Sequence, residues 1–321
     1  MNAPLVAILG PTASGKSSLA VWLAERLGGE VVACDSTQLY RGLNIGTAKP
    51  TEAERRGVRH HLMDVLNAAE TATAGDYRLR AMAVLDELRR RDRVPILTVG
   101  TGLYFRALLE GLAEAPRRSE ELRARLRRAG ETHEAGYLHR VLRKLDPEAA
   151  KRIAPADAQK IIRAIEVRLL AERPLSELHR EGRSALPGWT AAKIGLAPER
   201  EELYARIHER LDEMLARGWV EEVRELLRSG VPENAKAFDF IGYRELRSYL
   251  KGALSLEQAK AAIAQATRRY AKRQMTWFRK ETGVAWLAGF GDTPRIQEEA
   301  LRRLAAAGVS RGLRSAGAQS V

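Results

Sequence analysis

Eight residues, Gly10-Pro11-Thr12-Ala13-Ser14-Gly15-Lys16-Ser17, constrain this chain more than any other stretch. They fit G-x-x-x-x-G-K-[ST], in which glycines let the backbone curl its amides around a phosphate. The flanks agree with that reading. Pro4 to Leu9 is a short apolar run of buried-strand type. From Ser18 to Leu27, apolar residues recur at Leu19, Ala20, Leu23 and Leu27, which is helical spacing. Strand, glycine loop and helix N-terminus together aim N–H groups at one point, where the helix dipole and Lys16 add positive charge. Such a loop binds a diphosphate or a triphosphate, and the motif alone leaves that choice open.

The next strands argue against an ordinary nucleotide hydrolase. Such enzymes place a magnesium-holding carboxylate at the end of a later apolar strand. Here Val94 to Val99 runs into Gly100-Thr101-Gly102-Leu103-Tyr104 without an acid. The acid follows the second apolar run, Val31 to Cys34, as Asp35 in Asp35-Ser36-Thr37-Gln38. Strand ends of an open parallel sheet converge on the ligand crevice, so Asp35 is expected near the phosphate loop. A turn or capping aspartate has the same signature, and the residue alone leaves both roles open.

The first hundred residues alternate strand and helix in the doubly wound manner, with a helix expected over Asp76 to Arg90. Near Pro116 the character changes, and residues 117–183 show only helical segments, with 17 Lys or Arg against 11 Asp or Glu. Strand character returns at Ala191 to Leu196. Helices are expected over 200–217 and 256–280, and a last short strand over Val284 to Leu287. The predicted fold is α/β: a P-loop NTPase-like parallel sheet core over 1–115 and 190–321, with an all-helical insertion domain over 116–189. Residues 310–321, rich in Gly, Ser and Ala, read as a disordered tail.

Net charge is +13, which points to an acidic macromolecular partner such as nucleic acid. Arg outnumbers Lys 43 to 11, which suits bidentate phosphate contacts and equally the codon bias of a GC-rich genome. Cys34 is the only cysteine, which excludes an intrachain disulfide and argues against a thiolate zinc cluster. No apolar run approaches membrane-spanning length and no signal peptide opens the chain, so a cytoplasmic location is expected.

Two helices carry candidate nucleic-acid surfaces. Arg269, Arg273, Thr276 and Lys280 share one face of the last long helix, beside Trp277 and Phe278, with Leu256, Ala259, Ile263, Ala266 and Tyr270 opposite. A cationic face beside aromatics suits a phosphate backbone with an unstacked base, although a merely solvated face looks the same. In the insertion, Gln159 and Arg163 lie one turn apart on the polar side of a helix whose apolar side carries Ile161 and Ile162. His60-His61 with Asp64 has no fourth ligand candidate, and a packed or hydrogen-bonded histidine pair is expected there.

Taken together, GPTASGKS at Gly10, DSTQLYRGLNIGTAKP from Asp35, HHLMD from His60, GTGLYFRALLEG from Gly100, IGYRE at Ile241 and KRQMTWFR from Lys272 resemble the bacterial tRNA dimethylallyltransferase (tRNA isopentenyltransferase) family. The segments stand in family order along nearly the whole chain. Two departures are Val99, where glycine often precedes GTGLY, and Phe238-Asp239-Phe240, where some members carry a basic residue.

The resemblance implies transfer of a dimethylallyl group from its diphosphate to the exocyclic amine of the adenosine just 3′ of the tRNA anticodon. It implies a monomer that binds the tRNA anticodon stem-loop, and Mg2+ as cofactor, held by Ser17 directly or through water. Gly10, Thr12, Ala13, Ser14, Gly15, Lys16, Ser17 and Arg210 would bind the diphosphate. Asp35, Thr12, Lys16 and Arg210 would be catalytic. The tRNA-binding positions implied are Asp35, Ser36, Thr37, Gln38 and Thr101 on the core and Arg123, Gln159, Lys160, Ile161, Ile162 and Arg163 in the insertion. Gly242, Tyr243 and Arg244 with Lys272, Arg273, Gln274, Thr276, Trp277 and Arg279 complete the set. Without the resemblance, the residues also admit a P-loop small-molecule or nucleotide kinase, or an RNA-binding protein with a vestigial loop.

Overall fold

Val6 to Leu9 are fully buried, because the strand they form has neighbours on both sides and helices on both faces. In the computed structural model, which describes residues 2–113, 115–116, 118–180 and 184–309, that strand is β1 (Ala3–Leu9). It leads into α1 (Lys16–Leu27), β2 (Gly29–Cys34), α2 (Glu52–Arg55), β3 (His60–His61), α3 (Ala74–Arg90), β4 (Val94–Val99) and α4 (Gly102–Glu110). Five helices follow: α5 (Glu120–Thr132), α6 (Tyr137–Leu145), α7 (Pro147–Arg152), α8 (Ala158–Ala171) and α9 (Leu175–Arg180). The chain continues with β5 (Trp189–Leu196), α10 (Arg200–Ala216), α11 (Trp219–Arg228) and a 3-10 turn (Lys236–Asp239). It ends in α12 (Tyr243–Leu250), α13 (Leu256–Phe278), β6 (Val284–Leu287) and α14 (Pro294–Ala306). The tail expected over 310–321 lies outside the described residues.

All six strands are parallel, in the order β3-β2-β4-β1-β5-β6. Cys34 pairs with Val99 and Ile8 with Thr98, so the chain leaves β1, β2 and β4 at adjacent points on one sheet edge. β5 begins two residues before the expected start because Trp189 is in register with Ala3. α3 begins at Ala74 because Thr73 closes a capping box with Asp76. α14, which periodicity did not single out, buries Ile296, Ala300 and Leu304 in the same cluster as Leu19, Leu23 and Leu27 of α1.

The chain divides into two compact units, Met1–Leu108 with Gly188–Val321, and Leu109–Pro187. The described part of the second unit is helical, around Leu142, Ala149, Ile161, Ala164 and Ile165. Buried Asp146 knits it by capping α7 at Ala149 and accepting both the amide and the hydroxyl of Ser176. Its second internal tie is a carboxylate, Glu166, fully buried on α8.

Among the described residues, no helix is long and apolar enough to cross a membrane. His61 pairs with Glu30, whose other partner is Arg91, and His60 bonds its own backbone at Val58. Each histidine thus has a hydrogen bond to a neighbour within the protein, and Nε2 of His60 is buried without one.

Candidate active site

The loop between β1 and α1 depends on positive φ angles at Gly10 (149°), Ala13 (64°) and Gly15 (83°). At Gly15 space is limiting as well, since a Cβ would lie 2.8 Å from the Gly291 nitrogen. Gly291 in turn donates its amide to Ser14, which braces the loop. The first turn of α1 leaves the amides of Lys16, Ser17 and Ser18 without an intrahelical acceptor, because the first such bond runs from Leu19 to Gly15. Lys16 arches over the loop and donates to the carbonyls of Gly10 and Pro11 at 2.9 and 2.7 Å. Burial lowers its pKa to about 7, with Arg210 of α10 adding to the effect and Asp35 opposing it. A phosphate-loop lysine, an arginine from another helix and an acid from the next strand end therefore share one electrostatic field.

Asp35 has two faces. Its Oδ1 accepts the Thr37 amide at 2.8 Å and the Thr37 hydroxyl at 2.7 Å, the turn role that its sequence allowed. Its Oδ2 rests against Gly100, where a Cβ would lie 2.0 Å from that oxygen, so only glycine fits. Thr101 stitches the two strand ends together: its hydroxyl accepts the Ser36 amide at 2.9 Å and donates to the Ser36 hydroxyl at 3.1 Å. The amides of Gly100 and Thr101 both donate to the Cys34 carbonyl at 3.0 Å. Gln38 donates its amide to the carbonyls of Thr47 and Ala48.

Arg269, Lys272, Arg273, Thr276 and Trp277 of α13, with Lys280 two residues past its end, line a groove of about 390 Å³. Trp277 covers Gly102, where a Cβ would lie 2.3 Å from its ring, and the Arg106 guanidinium stands 4.5 Å from the ring centre. Lys272, Arg273, Thr276 and Arg279 are exposed, and Thr276 returns its hydroxyl to the Lys272 carbonyl.

Several of the residues expected to contact RNA have their side chains engaged within the protein. Gln274 is buried, and its amide spends both polar groups on the protein backbone, accepting from Thr12 and donating to Gly100. Tyr243 is fully buried and gives its hydroxyl to Glu222, whose carboxylate also gathers the amides of Asn44, Ile45 and Gly46. Gly242 lies beneath Trp219, with no room for a Cβ, and Arg244 bonds Glu245.

In the helical unit, Ile161 and Ile162 are core residues. Arg123 holds both oxygens of buried Glu166 at 2.9 and 2.8 Å, and Arg163 holds it at 2.7 Å while also bonding the Pro116 carbonyl. Burial alone would raise the Glu166 pKa, but these cations and the Ser119 amide reverse that and hold it at about 2. Gln159 and Lys160 remain exposed.

The roles of two residues on this helix differ from those that sequence reasoning gave them. Tyr270 donates its hydroxyl to the Gly100 carbonyl at 3.1 Å instead of merely filling the core stripe. Gln274 continues that stripe one turn further. A polar residue at the next buried position was the available signal, masked by the cations Lys272 and Arg273 just before it.

Residues 38–281, three quarters of the chain, match the sequence profile of the IPP transferase family. The chain belongs to that family. A tRNA dimethylallyltransferase of Koribacter versatilis is 52% identical over 307 residues, covering 94% of this chain and 98% of that protein. Among solved structures, the full-length tRNA isopentenylpyrophosphate transferase of Bacillus halodurans is 36% identical, with TM-score 0.70 and 96% of each chain covered. A eukaryotic dimethylallyltransferase captured acting on tRNA is 25% identical, with TM-score 0.79, covering 95% of this chain and 78% of that one. Membership in the family removes the kinase and the vestigial-loop readings.

Proposed function

We propose that this protein is a tRNA dimethylallyltransferase. It moves a dimethylallyl group from dimethylallyl diphosphate to the exocyclic amine of the adenosine 3′-adjacent to the anticodon, and releases diphosphate. The observation that carries this reading is a phosphate loop with Lys16 arched over it, on a sheet edge where Asp35 of the β2 end rests against a β4 turn that itself bears no acid. A cation pair beside a phosphate loop suits a diphosphate leaving group. An acid one strand away suits an amine nucleophile.

The allylic C–O bond breaks with its electron pair leaving on the diphosphate, so negative charge grows on the phosphate oxygens. Lys16, Arg210 and the α1 amides oppose that charge most strongly in the transition state. The adenosine nitrogen forms the new C–N bond, and the proton it sheds passes to Asp35 and then to solvent. Thr101, tied to Ser36, holds the Asp35 turn in place.

Among the described residues, no three His, Cys, Asp or Glu side chains cluster as a metal cage. A donor set of the Ser17 hydroxyl plus substrate oxygens fits a magnesium ion that keeps most of its waters, and the ion would shield the diphosphate charge. The exposed cations of α13, with Gln159 and Lys160, are the proposed tRNA contacts. The target base must leave its stack to reach Asp35. A cytosolic location accords with a tRNA substrate.

Incubation with dimethylallyl diphosphate, magnesium and an unmodified tRNA transcript, followed by nucleoside analysis, tests the assignment. Dimethylallyl-adenosine in the digest is the expected product. Its absence, together with ATP turnover, would overturn the reading.

A further inference from the structure

Gln274 is the one polar side chain that α13 buries, and burying an amide is costly unless both its ends find partners. Both do, and the partners lie far apart in sequence. The carbonyl oxygen accepts the Thr12 amide of the phosphate loop at 2.8 Å, and the NH2 group donates to the Gly100 carbonyl at 2.8 Å. One turn earlier on the same helix, Tyr270 donates to that same carbonyl. Gly100 is the residue against which the Asp35 Oδ2 rests. A single planar amide therefore spans the gap between the loop that would hold the leaving group and the turn that would hold the acid.

α13 also presents Lys272 and Arg273 on its outer face and lays Trp277 over Gly102. Its groove face and its buried face act on adjacent stretches of one rigid element.

We propose that Gln274 is a positioning residue for prenyl transfer, setting the spacing between the phosphate loop and Asp35 from the helix that carries the cationic groove. This rests on the function proposed above. Transfer requires the attacking nitrogen and the allylic carbon to be held within about 3–3.5 Å, and a displacement near 1 Å costs on the order of a hundredfold in rate. The Gln274 amide is the direct hydrogen-bonded link between the two sides of that gap.

Two substitutions separate its two ends. Gln274→Glu keeps an acceptor for the Thr12 amide but sets a carboxylate oxygen against the Gly100 carbonyl, so the hydrogen bond that is lost is the one on the Asp35 side. Gln274→Met keeps the length and removes both bonds. Single-turnover prenylation of an unmodified tRNA transcript and equilibrium binding of dimethylallyl diphosphate are measured for each, with the folded fraction taken from unfolding curves.

For Gln274→Glu, the expected result is a single-turnover rate lowered by roughly 10- to 100-fold with diphosphate affinity within about threefold of wild type. Gln274→Met should lose both. If either variant, corrected for its folded fraction, reacts at the wild-type rate, Gln274 is a structural residue only and the proposal falls. A wild-type protein that yields no prenylated adenosine sinks the proposed function as well, which tells the two failures apart.

Discussion

Replacing Arg163 by alanine distinguishes a cation that binds RNA from one that holds its own domain together. In the structure, Arg163 makes one charged hydrogen bond to Glu166 and one to the Pro116 carbonyl, and its side chain is 31% exposed. A hydrogen bond to a charged group contributes about 1.5–3 kcal/mol when buried. Partial exposure of the arginine reduces this, and Glu166 keeps Arg123 and the Ser119 amide. Arg163→Ala should therefore cost the helical unit about 1–2 kcal/mol. Arg123→Ala strips two bonds from a fully buried carboxylate and should cost about 3 kcal/mol, the low end for breaking a buried pair.

Hydrogen exchange along α8 reads these losses locally, and tRNA affinity at several salt concentrations reads the alternative. A phosphate contact would change the slope of log affinity against log salt by about 0.7–0.9 and leave exchange unchanged. A changed slope with native protection in Arg163→Ala would refute the structural assignment. The same clamp predicts acid sensitivity. Because the Glu166 pKa falls to about 2 on folding, its contribution is complete above the usual carboxylate range near 4.5 and is lost as pH drops from there toward 2.

Asp35→Asn should slow the chemical step at least about a hundredfold while tRNA and diphosphate affinities change little, because asparagine keeps the turn to Thr37 but is not a base. Near-wild-type single-turnover kinetics would reduce Asp35 to its turn role. Lys16, with its pKa brought down to about 7, is mostly neutral at pH 8, and an arriving diphosphate favours the charged form. Calorimetry in buffers of different ionisation heat should therefore show proton uptake at pH 8, with affinity weakening as pH rises through 7. Binding without uptake would contradict the field described here. Removing Lys272 and Arg273 together should flatten the salt dependence of tRNA binding by about 1.5 units of slope without altering thermal stability, and an unchanged slope would make them ordinary surface charges.

The legible parts of this molecule are those where one local pattern has one physical meaning. The phosphate loop, the buried parallel strands and α13 follow from short-range rules: glycine at positive φ, continuous apolar runs between covered faces, and a 3.6-residue stripe. What the pattern concealed is which polar side chains face inward. Arg123 and Arg163 read as part of a basic surface because exposed and buried charges look alike in a string of letters, and only the fold brings the two arginines to one acid, Glu166. The site divides in the same way. Gly10 to Ser17 and Asp35 announce themselves, but Gly100 and Gln274 acquire meaning only from contacts spanning more than a hundred residues. A recurring motif therefore marks a neighbourhood and not a role. Within KRQMTWFR, Arg273 lies exposed and lines the groove, while Gln274 beside it is buried and holds the phosphate loop, and the 100° step between adjacent helical positions makes that difference.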